Sequence, residues 1–362
     1  MTSDQTIRSS TPPSAGSADG GRHRAASGRN IPVDTLRGLA CILLVTFHVI
    51  GDTAAAGIHV ADDSAFRYYC DSVQYLRMPL FTFLSGLVYA WRPLSDIRAY
   101  PKFMGKKVRR LLVPYVIFIP VLGLTQMYAP GVNGTVDPDP LLWWINSLSP
   151  YWFLLSTFWL FALVALLDSR GLLRSPWAFG GLFAASVLLS LLTRPETVET
   201  LQLGTALSFL PFFLAGVGAF RFRLIPQRTM TAVPVTLVLL VLVVLVQLSL
   251  TGHLERFETR HSLVGIALGV VFPVAFLGWS LKSRVLAWIG GYSSGIYLLH
   301  SFAVGAFRAV TGAVGLDADL PRFIILSVGG IFASIFGVIV LRHVRIGPVQ
   351  IGRIMLGEKV KK

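Results

Sequence analysis

Apolar residues in this chain fall in runs of about twenty, separated by short polar stretches rich in Arg, Asp, Gly and Pro. At 1.5 Å per residue, a helical run of that length crosses the roughly 30 Å hydrocarbon core of a bilayer. Ten segments carry the pattern: 31–51, 73–91, 111–129, 151–167, 176–193, 204–220, 232–250, 262–281, 286–310 and 321–342. The plainest is Val233–Leu250, a Val/Leu run whose one strongly polar side chain is Gln247. The weakest is Pro176–Thr193, rich in Gly and Ala. The pattern predicts an all-α integral membrane bundle of about ten transmembrane helices.

The stretches between runs reach about twenty residues at most, so any chemistry is expected inside the bundle or at its mouths. Residues 1–30, nearly devoid of aromatic and β-branched side chains, read as a disordered cytoplasmic tail. Residues 31–345 read as the membrane domain and 346–362 as a basic cytoplasmic tail. The first run is long and has no small-residue cleavage site behind it, unlike a signal peptide. Two cysteines, Cys41 in the first run and Cys70 in the following loop, offer neither a disulfide framework nor metal spacing. No internal repeat is evident, which counts against an inverted-repeat transporter.

Over 362 residues, 54% hydrophobic and 14% charged, the formal net charge is +14. Its placement removes nucleic acid as a partner. With both termini cytoplasmic, 24 of the 32 Lys and Arg lie inside, while Arg67, Arg194, Arg256, Arg260, Arg308 and Arg322 lie outside. The acids run the other way, among them Asp52, Asp62, Asp71, Glu196, Glu199, Asp317 and Asp319. Topology thus accounts for the charge.

Arg37 and His48 are the polar anomalies of the first run. Eleven steps of 100° amount to three turns plus about 20°, which puts both on one helix face, about 16 Å apart along the axis. Ionisable residues at membrane depth read as functional unless they merely tether helices. Counting rise from the span ends sets Arg37 about 9 Å from the inner face, His48 about 25 Å, His300 about 21 Å and Arg77 about 24 Å. Three ionisable groups from three spans therefore share the outer half of the membrane. Arg77 could instead snorkel to headgroups, His300 could be a hydrogen-bonded packing residue, and Ser85-Gly86 reads as a small-residue helix contact. The loop 92–110 ends in Lys106–Tyr115 (KKVRRLLVPY), whose cations suit lipid phosphates or a phosphorylated ligand alike.

Several segments, in order, resemble the acyltransferase-3 family of integral membrane acyltransferases. VDTLRGLACILLVTFH carries an Arg-x10-His signature in Arg37 and His48. RMPLFTFLSGLVYAW (Arg77–Trp91) is similar to the family's second helix and KKVRRLLVPY to its Arg-x-x-Arg element. YWFL (Tyr151–Leu154), PFFLAGVGAF (Pro211–Phe220) and GGYSSGIYLLH (Gly290–His300) are similar to later segments. One departure is Lys107-x-x-Arg110, where a lysine keeps the charge and loses the bidentate fork, with Arg109 beside it to compensate. Another is that the chain ends seventeen residues after Arg345, without the extracytoplasmic hydrolase-like domain of larger relatives.

The resemblance implies a polysaccharide O-acetyltransferase of the bacterial inner (plasma) membrane. Its co-substrate would be cytoplasmic acyl-CoA, most often acetyl-CoA, with no metal. Its acceptor would be a hydroxyl of an envelope or exported glycan, free or lipid-linked, handled beside membrane lipids and glycan-assembly proteins. Lys107, Arg109 and Arg110, with Arg37, would hold the phosphates of CoA. His48 would be general base or acyl carrier, with Arg37, Arg77 and His300 as its catalytic company. Acylation of a lipid or small molecule, and transport of a glycan or lipid-linked precursor, are the alternatives.

Overall fold

The computed structural model describes residues 30–129, 136–193 and 200–360. The stretch read as a disordered tail, and the charges Arg194, Glu196 and Glu199, lie outside the described residues. Among the described residues fourteen α-helices follow one another: α1 (Ile31–Ile50), α2 (Ala65–Ala90), α3 (Tyr100–Lys107), α4 (Val113–Tyr128), α5 (Pro140–Leu142), α6 (Trp152–Ser169) and α7 (Pro176–Leu192). Then come α8 (Leu203–Arg221), α9 (Thr229–Leu250), α10 (Leu263–Gly278), α11 (Arg284–Gly290), α12 (Ser293–Ala313), α13 (Asp319–His343) and α14 (Ile351–Met355). No β-strand occurs among the described residues.

Each of the ten apolar runs falls on helix. Among the described residues, seven helices are long and apolar enough to cross a membrane: Ile31–Ile50, Ile97–Tyr128, Trp152–Ser169, Thr200–Arg221, Thr229–Leu250, Ser293–Ala313 and Asp319–His343. Pro176–Leu192 and Leu263–Gly278 are shorter apolar helices. The chain is a multi-pass helical membrane protein.

Three boundaries differ from the sequence reading. First, α2 starts at Ala65 rather than near residue 73, with Ser64 as its N-cap accepting from the Arg67 amide. Its opening turns are polar because their side chains find partners, not water. Arg67 donates to the Gly51 carbonyl, Tyr68 to Gln247, and Tyr75 to the Phe257 carbonyl at 2.5 Å. Cys70, expected in a loop, is therefore buried in this helix; both cysteines are free.

Second, the basic stretch ahead of the third run is helix, not loop. Pro101 sits in the first turn of α3, where its missing N–H costs nothing, and a π-helical turn, Val108–Leu112, carries the chain unbroken into α4. Third, the ninth run is divided into α11 and α12 at Gly291–Tyr292.

The core forms around α1, which packs against α2, α11, α12 and α13, while α2 packs on α8 and α10. Two seams are backbone to backbone. A Cβ on Gly38 would collide with the Leu286 carbonyl, and one on Gly290 with the Asp34 carbonyl, so α1 and α11 meet glycine to carbonyl from both sides. Gly86 and Gly216 do the same for α2 and α8, the close contact expected of Ser85-Gly86. By contrast, α9 leaves Leu237, Val241 and Val244 exposed, as a lipid-facing helix requires.

Candidate active site

At the end of the bundle where α1 begins, a cavity of about 420 Å³ opens between α1, α2, α6, α12 and the π-helical turn. Arg37, Lys107 and Arg110 all line it. Arg37 is held by an ion pair from its Nη1 to Asp34 Oδ1 at 3.0 Å, one turn earlier on α1. The Lys107 ammonium sits 3.2 Å from the centroid of the Phe161 ring and 5.1 Å from that of Phe103. Those faces stabilise a cation that faces the cavity without a carboxylate of its own.

The break between α11 and α12 has a consequence here. It brings Gly290, Gly291 and the first turn of α12, Ser293 and Ser294, to the cavity wall. The positive end of a 21-residue helix dipole thus joins three cationic side chains. Arg109 does not line the cavity. Its side chain is exposed and its carbonyl lies against Gly357.

Deeper in, the cavity becomes apolar and aromatic, closing on Phe81, Phe153, Tyr297 and Leu298. Two tyrosines brace this layer. Tyr151 Oη donates to the Leu298 carbonyl at 2.6 Å, and Tyr297 Oη donates to the Pro150 carbonyl. The buried hydroxyl of Thr157 lines the cavity and has no hydrogen-bond partner, so it is available to an amide-bearing ligand.

Beyond the aromatic layer lies a pair of imidazoles. His48 on α1 and His300 on α12 meet edge to face, with ring centroids 4.7 Å apart. His300 is one turn beyond Tyr297, whose ring centroid is 6.1 Å away. His48 Nδ1 lies 2.9 Å from the Leu44 carbonyl, and His300 Nδ1 lies 3.1 Å and 2.9 Å from the Ile296 and Tyr297 carbonyls. A carbonyl only accepts, so each Nδ1 carries a proton, and in the neutral form of each ring the lone pair is on Nε2. His300 Nε2 has Ser301 Oγ at 3.5 Å. Among the described residues, no hydrogen bond is made by His48 Nε2.

Arg77 completes the group. The earlier start of α2, at Ala65, places it twelve residues into the helix, about 18 Å along the axis from its first residue. Snorkelling is not its arrangement. Its guanidinium carbon lies 3.4 Å from the centroid of the Phe47 ring, and its Nε and Nη1 are buried without a hydrogen-bond partner.

The structure therefore divides the sequence-predicted residues between two places. Arg37, Lys107 and Arg110 share the cavity; His48, His300 and Arg77 share the imidazole site; Arg109 joins neither. Asp34, Thr157 and the aromatic layer were missed. Asp34 was legible in principle, three residues before Arg37, whereas the layer is assembled from α2, α6 and α12. Leu356 was also beyond reach. The C-terminal segment folds back, setting Leu356 in the cavity wall and Glu358 against Arg342 at 2.6 Å.

A helical bundle with a cationic cavity and a paired-imidazole centre, joined along one helix, defines a multi-pass membrane protein with an internal site. The sequence model of the acyltransferase-3 family, described as an acyltransferase domain, matches residues 30–343, and the chain belongs to that family. It is a membrane acyltransferase. No curated protein and no solved structure matches it.

Proposed function

We propose that this acyltransferase takes an acyl group, most often acetyl, from cytoplasmic acyl-CoA and delivers it to a hydroxyl of an envelope or exported polysaccharide on the outer side of the bacterial plasma membrane. The observation that carries this reading is the layout of α1. Arg37 stands in a cationic cavity at one end, and His48 stands with a free Nε2 at the other, one aromatic layer away.

Lys107, Arg110 and Arg37 bind the phosphates of CoA by charge-assisted hydrogen bonds, helped by the first turn of α12. The pantetheine arm runs along the aromatic wall, with the Thr157 hydroxyl beside its amides, and presents the thioester toward His48. His48 Nε2 takes the proton of the acceptor hydroxyl as the oxygen attacks the thioester carbonyl. Arg77, whose Nε and Nη1 are unpartnered, stabilises the oxyanion of the tetrahedral intermediate. As that intermediate collapses, the carbon–sulfur bond breaks and the imidazolium returns the proton to the departing CoA thiolate. His300 packs its ring against His48 and holds its orientation.

The test is acylation of the surface glycan, measured by mass spectrometry in cells carrying the native chain or His48→Ala, with membrane insertion checked for both. Loss of the acyl mass in the variant supports the reading. Full acylation removes it.

A further inference from the structure

After α13 the chain turns back onto the cationic cavity. Ile346 and Val349 exchange both backbone hydrogen bonds, at 3.0 and 3.1 Å, around Pro348 and a Gly347 at φ +57°. The returning chain forms α14, which packs on α13 and α4. Gly352 seats its start, since a Cβ there would collide with the Leu341 carbonyl. Gly357 seats its end. It stands at φ +67°, and a Cβ on it would lie 2.8 Å from the Arg109 carbonyl oxygen and 2.9 Å from that of Arg110.

Two side chains tie this segment to the cavity. Leu356, 6% exposed, lines it together with Arg37, Lys107 and Arg110. Glu358 Oε1 accepts from Arg342 Nη2 at 2.6 Å and from Arg342 Nε at 2.9 Å, while its Oε2 lies 3.7 Å from Arg353 Nη1. The Arg342 guanidinium carbon in turn lies 5.5 Å from the centroid of the Tyr292 ring, at the break between α11 and α12. A smaller cavity beside the first is lined by Tyr292, Ser294, Arg342, Leu356 and Glu358, and Ser294 and Leu356 line both. The segment thus touches the π-helical turn on one side and the first turn of α12 on the other. The main cavity is open with the segment seated, so the segment is a wall and not a plug.

Three cations and a helix N-terminus repel one another in an empty site, and holding them ready for a polyanion needs a tie that the ligand does not supply. We propose that Ile351–Glu358 is that tie, a strap belonging to the donor site. It holds the π-helical turn against the first turn of α12, so that Lys107, Arg110 and the helix end meet the donor's phosphates together. Glu358 is a positioning residue acting through Arg342, and Leu356 anchors the strap in the cavity wall. The proposal rests on the reading of this cavity as the acyl-CoA site and adds to it a segment and an ion pair.

The experiment measures acetyl-CoA affinity by calorimetry, with the full chain in phosphatidylcholine nanodiscs. Glu358→Gln and Arg342→Gln should each weaken binding about three- to tenfold, as suits a partly exposed charged pair, and the double variant should fall no further. Arg342→Lys should restore most of the affinity. Gly357→Val, which cannot rest on the two carbonyls, should weaken binding about tenfold or more. A cycle separates positioning from general support of the fold. In a chain carrying Lys107→Ala with Arg110→Ala, Glu358→Gln should cost little more, because the cations it positions are gone.

Native affinity in Glu358→Gln or in Gly357→Val overturns the proposal. So does a Glu358→Gln loss that repeats in full when Lys107 and Arg110 are already alanine. Where Gly357→Val does not fold, Glu358→Gln and its cycle decide alone. The two failures are distinguishable: native acetyl-CoA binding in Lys107→Ala with Arg110→Ala removes the donor reading of the cavity and the strap's role with it. Weakened binding in that pair beside native binding in Glu358→Gln removes the strap alone.

Discussion

The two ends of α1 treat positive charge in opposite ways. Around Arg37 the cations are compensated yet open: Asp34 pairs with Arg37, the Phe161 ring faces Lys107, and Arg110 is exposed at the cavity mouth. Around His48 the cation is sheltered, the Nε and Nη1 of Arg77 being buried with no hydrogen-bond partner among the described residues. An open, compensated cluster suits a soluble, highly charged ligand that must arrive and leave, because water and counter-ions share the cost of its vacancy. A sheltered cation suits chemistry in which charge appears or is delivered at the site. The contrast teaches that one helix can serve two tasks when its neighbours, rather than its own residues, set the surroundings of each polar group.

Substitutions at the two ends should separate these tasks. The largest effect is expected from His48→Ala, which should lower acyl transfer by about 10² to 10⁴-fold while leaving acyl-CoA affinity unchanged, measured by single-turnover transfer beside equilibrium binding. A parallel fall in affinity would mean that the two ends are not independent. Next, Lys107→Ala with Arg110→Ala should weaken acyl-CoA binding by about 10- to 100-fold, the loss of one or two charge-assisted contacts, with transfer at saturating donor little changed. If this pair instead lowered only the saturated rate, the cavity would not be the donor site.

A smaller change, about tenfold in rate, is expected of His300→Gln, equivalent to about 1.4 kcal/mol of lost positioning of His48, with donor affinity again unchanged. The smallest is a few-fold loss of acyl-CoA affinity between about 0.1 and 1 M salt, where the screening length falls from about 10 to 3 Å. Indifference to salt would argue against phosphate docking at exposed cations.

Much of this layout was legible in the residues themselves. The twenty-residue periodicity located all ten runs, and the eleven-residue interval placed Arg37 and His48 on one face. Hydropathy failed where side chains solve their polarity through partners. Arg67 and Tyr68 make the start of α2 look like loop, although each is hydrogen-bonded to another segment. The basic stretch 92–110 read as loop because of its charges, although it is helical from Ile97 and two of those charges, Lys107 and Arg110, line the cavity. The aromatic layer depends on tertiary assembly, because Phe81, Phe153 and Tyr297 come from helices far apart in sequence. Leu356 depends on a chain reversal after α13 that no periodicity signals.

The glycine-to-carbonyl seam between α1 and α11 turns the interval from Arg37 to His48 into a ruler. With Gly38 seated on Leu286 and Gly290 on Asp34, α1 has no room to slip by a turn or to roll against its neighbour. The roughly 16 Å between Arg37 and His48 is set by the rise of α1 itself, and the seam fixes where that length sits against α11. Alternating access needs helices to rock or slide past one another; this seam instead holds α1 against α11.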